Sequence, residues 1–234
     1  MGSEMCIRDR ITASPSFESI KSAITPDFLV AIGNSFLIAV AVTIIALILH
    51  SMCGYAFARM NFPGKKPMFT VIISTLMIPV SSILVPLFMI CKQLGITNSY
   101  AGILLPALFN AYGIFLFRQF YLTFPISLYE SAKIDGCSNL RFIWQILMPL
   151  TKSAMGAMAV YTFINAWNMY MWPLLVTGSD KMRTVQIGIG MLDSVDSQSI
   201  TLMIAGVVLI ILPSISIFIA GQKQLIRGMS VSYT

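Results

Sequence analysis

Five stretches free of Asp, Glu, Lys and Arg alternate with short polar segments along the chain, at about 28–49, 68–90, 101–117, 153–176 and 200–222. Each reaches, or comes close to, the roughly 17 to 25 residues that carry a helix across a hydrocarbon core. Apolar residues run continuously through them instead of alternating, which predicts helices and excludes a barrel. Pro79, Pro86, Pro106, Pro173 and Pro213 lie inside or at the ends of these stretches, where helical packing in a bilayer tolerates them. The pattern predicts an all-α membrane protein, a polytopic helical bundle over residues 28–222, with a segment 1–27 before it and a tail 223–234 after it.

The polar segment at 125–150 is patterned differently from the others. Pro125 is followed by Ser127 and, three residues later, Glu130, the spacing of a capping box in which each side chain satisfies a backbone N–H left free at a helix start. Asp135-Gly136 supplies a residue able to adopt positive φ and close that helix, and Ser138 or Asn139 caps a second one carrying Phe142, Ile143, Ile146 and Leu147. Pro149 stops the second helix or bends it. A stiff two-helix loop between spans is thus predicted, of the kind that docks onto a partner's groove.

Composition agrees with a bilayer setting. The chain of 234 residues is 57% hydrophobic and 10% charged, with a mean hydropathy of +0.83, too apolar for a solvated surface. The net charge of +6 matters less than its placement, because Lys and Arg in short loops mark the cytoplasmic side. Alternate loops carry Arg59, Lys65 and Lys66, then Arg118, Lys133, Arg141 and Lys152, then Lys223 and Arg227. The other side has Lys92, then Lys181 and Arg183 with Asp180, Asp193 and Asp196. The 125–150 loop and the C-terminus are therefore expected in the cytoplasm, and residues 1–27 outside. Those first residues hold no apolar run that would export them. They read as a chain truncated after a lost first span, with 1–10 a remnant foreign to it; the alternative is a short tail that crosses unaided.

Candidate chemistry is sparse. Cys6, Cys53, Cys91 and Cys137 have no metal-ligand spacing and read as thiols without a role. His50 ends the first stretch with no second ligand near it in sequence, so it is expected to be packed or interfacial, and no metal site is predicted. No GxxxxGK[ST] loop and no nucleophile elbow occur, so no catalytic residues are assigned and the chain has no means of its own to hydrolyse ATP. Asn165 and Asn168 are three apart and share a predicted helix face with Tyr161 and Trp172. Such a face either lines a path for hydroxyl-rich solutes or hydrogen-bonds neighbouring helices, and Asn34, Thr43 and Asn110 carry the same alternatives. The 16 methionines suit adaptable helix packing, and Trp144, Trp167 and Trp172 are expected as interface anchors. The stretches contain no ionisable Asp, Glu, Lys or Arg, which argues against an ion-coupled secondary transporter or a channel.

Glu130-Ser131-Ala132, three residues, Gly136, nine residues, Ile146, two residues and Pro149 resemble the EAA loop of ABC importer permeases. Ser131 and Met148 depart from the family's usual Ala and Leu, and both keep size or apolarity. Asn34-Ser35, Tyr55-Ala56-Phe57-Ala58-Arg59, Phe62-Pro63-Gly64-Lys65, Met77-Ile78-Pro79, Leu94-Gly95, Phe117-Arg118-Gln119-Phe120, Ala166-Trp167-Asn168 and Trp172-Pro173-Leu174 are similar to further family stretches, as is 222–228. Together they resemble the carbohydrate-importer branch, the maltose and glycerol-3-phosphate type of inner-membrane permease, with the type I importer fold.

The resemblance implies a permease subunit of the bacterial cytoplasmic membrane that moves a sugar, polyol or related solute. It implies a second permease, two ATP-binding subunits that hold ATP and Mg, and an extracellular or periplasmic solute-binding protein, with no nucleic acid. It implies that Glu130, Ser131, Ala132, Asp135, Gly136, Ile146 and Pro149 form the ATPase-coupling loop. Leu128, Phe142, Ile143 and Ile146 would pack this loop against the partner or the permease's own spans, and Lys133, Asp135 and Arg141 would orient it. The family's usual six spans start inside, so the first is expected to be the one missing here, and the contact made by the family's usual C-terminal extension is expected to be shortened.

Overall fold

The computed structural model describes Lys21, residues 24–195 and residues 200–230, the side chains of 191–203 and 223–230 excepted. The readings of residues 1–20, of Asp196 and of the last residues 231–234 lie outside the described residues, as do the side chains of Asp193, Lys223 and Arg227.

Helix α1, Pro26–Arg59, begins where Thr25 Oγ1 accepts the Phe28 N–H at 3.2 Å and Pro26, which lacks an N–H, occupies the first position. It runs well past the expected end at Leu49, because His50, Ser51, Gly54, Tyr55 and Phe57 are buried and continue its packed face. The apolar stretch expected as the second span is two helices, α2 (Lys65–Ser74) and α3 (Val80–Gln93), joined by a 3-10 turn, Thr75–Met77, and bent by 109°. Pro79, with no N–H to continue the ladder and an extended ψ of 130°, makes that break. Helices α4 (Tyr100–Leu108) and α5 (Ala111–Thr123) divide the third stretch with a milder bend of 42° at Asn110, whose side chain caps the second of them through the Tyr112 N–H at 2.8 Å.

The 125–150 loop contains α6 (Ile126–Ile134), α7 (Asn139–Phe142), a π-helical segment Ile143–Leu147 and the turn α8 (Met148–Leu150). The stretch expected as one span at 153–176 is broken as well, into α9 (Lys152–Trp167) and α10 (Met171–Val176). Pro173 cannot donate to a carbonyl four residues back, so the chain restarts with the proline in a first turn, where that N–H is not needed. Helices α11 (Val185–Val195) and α12 (Ile200–Ser230) complete the described chain. By length and composition, two helices suffice to cross a membrane singly, α1 and the Ile204–Gln222 part of α12, or up to four spans if each bent pair is one. Of the five stretches expected as spans, the second, third and fourth are thus each divided between two helices.

Helix α1 is the hub: α4, α5, α9 and α11 pack on it, and α12 packs on α9 and α11. At Gly54 the approach of α5 is so close that a Cβ would lie 2.6 Å from Phe117 Cβ and 2.9 Å from the Arg118 backbone nitrogen, so a side chain there would separate the two helices. Two apolar cores form along α1. One, around Ile38, Val42, Phe163, Trp167 and Trp172, lies toward its Asn34 end; the other, around Tyr55, Phe117, Tyr121 and Met158, lies toward its Arg59 end and takes in Ala132, Phe142, Ile143 and Leu147 of the loop. Among the described residues α2 buries none and α3 only Cys91, leaving Val71, Met77, Val80 and Val85 as an apolar surface suited to lipid or to another subunit.

Candidate functional site

The loop's first helix starts differently from the capping-box reading. Pro125, in an extended conformation, is the cap residue, no side chain caps the helix, and Ser127 already lies inside it. The fixed φ of Pro125 sets the helix start two residues before Ser127, which therefore has no free N–H ahead of it to accept from. The end of the helix follows the expectation: Gly136 has φ +74°, the Cys137 N–H donates to Ala132 O at 2.8 Å and the Gly136 N–H to Lys133 O at 3.0 Å, the paired bonds of a Schellman close. Ser138 caps the second helix, its Oγ accepting the Arg141 N–H at 3.3 Å. That leaves the Asn139 side chain free for another partner. Pro149 does not stop this helix: the Met148 N–H reaches back five residues to Ile143 O, and the chain stays helical to Leu150.

The loop has two faces. Ala132, Phe142, Ile143, Leu147 and Met148 are buried against α1, α5 and α9, with Leu128 and Ile146 partly buried beside them, so the hydrophobic positions serve the permease's own spans. The Phe142 ring lies 6.1 Å from that of Tyr55 and meets that of Tyr129 edge-on at 5.5 Å. On the other face Glu130, Ser131, Asp135, Gly136 and Pro149 are exposed. Ile134 at 86% exposure, Leu140 at 55% and Trp144 at 47% are exposed as well. Lys133 lies over the Tyr129 ring at 5.6 Å and Arg141 Nε donates to Gln145 Oε1 at 2.7 Å, so both cations are held within the loop.

Basic side chains fasten the roots of the loop. The Arg59 guanidinium donates to Tyr121 O at 2.8 Å and to Phe124 O, where α5 gives way to the loop. Arg118 Nε donates in the opposite direction to Phe57 O of α1 at 3.3 Å and lies over the Phe69 ring, and Lys65 Nζ donates to Met60 O at 2.8 Å. Arg59, Arg118 and Lys65, which the charge pattern assigns to one side, thus meet at one end of the bundle and satisfy carbonyls at helix C-termini. At the other end Asn34 Nδ2 donates to Lys181 O and Arg183 O at 2.8 and 3.0 Å, while Tyr100 donates to Asn34 Oδ1 at 2.9 Å.

Between the two ends is a cleft of about 260 Å³ whose lining includes His50, Asn110, Tyr161, Thr162 and Asn165. Of the predicted polar face, Tyr161 and Asn165 are there and Asn168 and Trp172 are not. Asn168 caps the end of α9 and accepts from Gln186 Nε2 at 3.2 Å; Trp172, on a different helix, is buried and donates to Gly102 O at 3.1 Å. The break of the chain after Trp167 destroys the periodicity that the shared face required. Asn165 Nδ2 donates to Tyr161 O at 2.8 Å in its own helix, and Thr43 bonds back to Ala39 O, so neither bridges helices, whereas Asn34 does reach across to other elements. Trp167 and Trp172 are buried rather than interfacial, the former 1% exposed with its indole N–H on Ile210 O.

His50 is packed, as expected, yet it also lines the cleft. Its Nε2 accepts the Asn110 N–H at 3.2 Å, the amide freed by the bend between α4 and α5. Its role there was legible only as a polar residue closing an apolar stretch.

Residues 50–230 match the family of binding-protein-dependent transport system inner membrane components. Among curated relatives, the arabinooligosaccharides transport system permease protein AraQ of Bacillus subtilis (strain 168) is 36% identical over 198 residues, covering 85% of this chain and 70% of its own. The sn-glycerol-3-phosphate transport system permease protein UgpE of Yersinia enterocolitica is 35% identical, with 84% and 70% covered. The lactose transport system permease protein LacG of Rhizobium radiobacter is 33% identical, with 95% and 82% covered. In fold, the chain is similar to a bacterial ABC transporter involved in the import of the acidic polysaccharide alginate, with a TM-score of 0.79 at 21% identity over 89% of this chain and 79% of that one. A helical bundle of this architecture, matched along most of its length, belongs to the binding-protein-dependent transport system inner membrane components and is a transporter permease subunit, with no enzyme activity of its own in that role.

Proposed function

We propose that this chain carries a sugar or related polyhydroxylated solute across a bacterial cytoplasmic membrane as one permease of an ATP-binding-cassette importer, driven by a separate ATPase that docks on the 125–150 loop. The observation that carries this reading is the two-faced loop: one face is locked into the bundle by Phe142, Ile143 and Leu147, and the other presents Ile134, Leu140 and Trp144 beside Glu130, Ser131 and Asp135, exposed among the described residues. A stiff element fastened at both roots moves the bundle when its free face is pulled. The names of the relatives, which concern arabinooligosaccharides, glycerol-3-phosphate and lactose, support the solute class.

The complete importer in this reading has a second permease, two ATP-binding subunits that bind ATP and Mg, and a solute-binding protein on the outer side. The loop and the C-terminus face the cytoplasm and residues 1–27 lie outside. Nucleotide binding closes the ATPase pair and favours the outward-facing pathway; hydrolysis and release restore the inward-facing one, each state chosen by differential affinity. Tyr161 and Asn165 face the solute in the cleft, where an aromatic face and an amide suit hydroxyl groups.

Gly136→Val tests the coupling. A β-branched residue at φ +74° is strained by about 1–3 kcal/mol and reshapes the turn, while the spans stay untouched. Reconstituted with its ATPase, the variant is expected to insert normally and to move roughly tenfold less solute per ATP, the factor such a strain commands. Transport at the unaltered ratio would refute the assignment.

A further inference from the structure

The last turns of α1 grip both arms of the 125–150 loop. Arg59 holds the arm that leaves α5, through the carbonyls of Tyr121 and Phe124. Four residues earlier on the same helix face, the Tyr55 hydroxyl donates to Asn139 Oδ1 at 3.0 Å, at the start of the loop's second helix. Tyr55 is 2% exposed, so its hydroxyl must find a partner within the protein, and Asn139 is available only because Ser138 does the capping. One turn further along, Ser51 Oγ shares a 2.6 Å hydrogen bond with the Tyr121 hydroxyl, and His50 lines the cleft and holds the Asn110 amide at the α4–α5 bend. From the loop to the cleft the contacts follow one unbroken helix.

We propose that Tyr55 and Arg59 are positioning residues that convert displacement of the 125–150 loop into movement of α1, and through His50 into a change of the α4–α5 bend beside the cleft. This rests on the reading of the loop as the ATPase-docking element. Arg59 bonds to backbone carbonyls at the end of α5, just ahead of the loop, which are there whatever the sequence; Tyr55 bonds to a particular side chain of the loop itself. Asn139→Leu removes the Tyr55–Asn139 bond alone, whereas Tyr55→Phe keeps the ring against Phe142 and loses the hydroxyl with its contacts to both Asn139 and the Tyr129 side chain.

The test is a double-mutant cycle on the assembled importer in proteoliposomes, with Tyr55→Phe, Asn139→Leu and the pair together, read as solute moved per ATP hydrolysed and as ATPase retained on the purified complex. Each single variant is expected to lower the ratio about three- to tenfold, the range one neutral hydrogen bond governs, with ATPase retention unchanged. The pair should fall no further than Tyr55→Phe alone, because the bond to Asn139 is already lost with the hydroxyl. A merely structural role would lower the yield of complex and leave the ratio alone. An unaltered ratio in Tyr55→Phe, or a pair whose loss is the product of the single losses, overturns the proposal. The unsubstituted chain separates the two levels: if it retains its ATPase and Tyr55→Phe still couples normally, the positioning role alone fails, and if it retains none, the docking reading fails with it.

Discussion

At its Asn34 end α1 holds a loop by that loop's backbone, and at its Arg59 end it holds one mainly by side chains. Asn34 donates to the carbonyls of Lys181 and Arg183, and Ser35 Oγ accepts the Val185 N–H at 2.8 Å. Asn98, in the left-handed conformation with φ 55°, adds the N–H groups of Gly178 and Ser179. Every one of these bonds would survive a change of side chain in the 177–185 segment. The 125–150 loop instead places Phe142, Ile143 and Leu147 in a core with Tyr55 and Phe117 and offers Asn139 to the Tyr55 hydroxyl. A grip on backbone fixes a loop's path while leaving its surface free to vary. A grip on side chains ties the path to a particular sequence, which suits an element that must transmit force in one register.

The largest test of this contrast is Phe142→Ala. Emptying a fully enclosed aromatic position is expected to cost about 3–5 kcal/mol, seen as a lowered thermal midpoint of the detergent-purified chain and early proteolysis within 125–150. Asn34→Ala should cost less, about 1–3 kcal/mol, because it strands two carbonyls and the Tyr100 hydroxyl without opening a large cavity, with proteolysis shifting to the 177–185 segment. The smallest effect belongs to Lys181→Ala, which leaves the bonded carbonyl in place and should not move the thermal midpoint. A loss from Lys181→Ala as large as that from Asn34→Ala would show that the Asn34 end also reads side chains, and the contrast would fall.

What could be read from the chain follows the same division. Gly136, the Ser138 cap and the buried positions Phe142 and Ile143 were legible because turn chemistry and apolar spacing are local. The capping box at Ser127 and Glu130 failed because Pro125 also sets a helix start, and only the folded chain shows which signal wins. The face shared by Tyr161, Asn165, Asn168 and Trp172 failed because charge-free sequence looks alike whether a helix continues or breaks at 168–170. His50 and Asn110 beside the cleft carried little signal, since their meeting depends on the packing of α1 against α4 and α5.

By itself, the order of apolar and polar residues determined an all-α membrane protein with a two-helix polar loop, and the motifs around that loop determined its family, because hydrophobic length, turn chemistry and motif spacing act over a few neighbouring residues. Tertiary structure alone decided where the helices break, which polar residues surround the cleft, and that one helix grips both loops. Those outcomes depend on contacts between residues 60 to 150 positions apart, such as Asn110 with His50 and Val185 with Ser35, and a linear pattern holds no record of such distances.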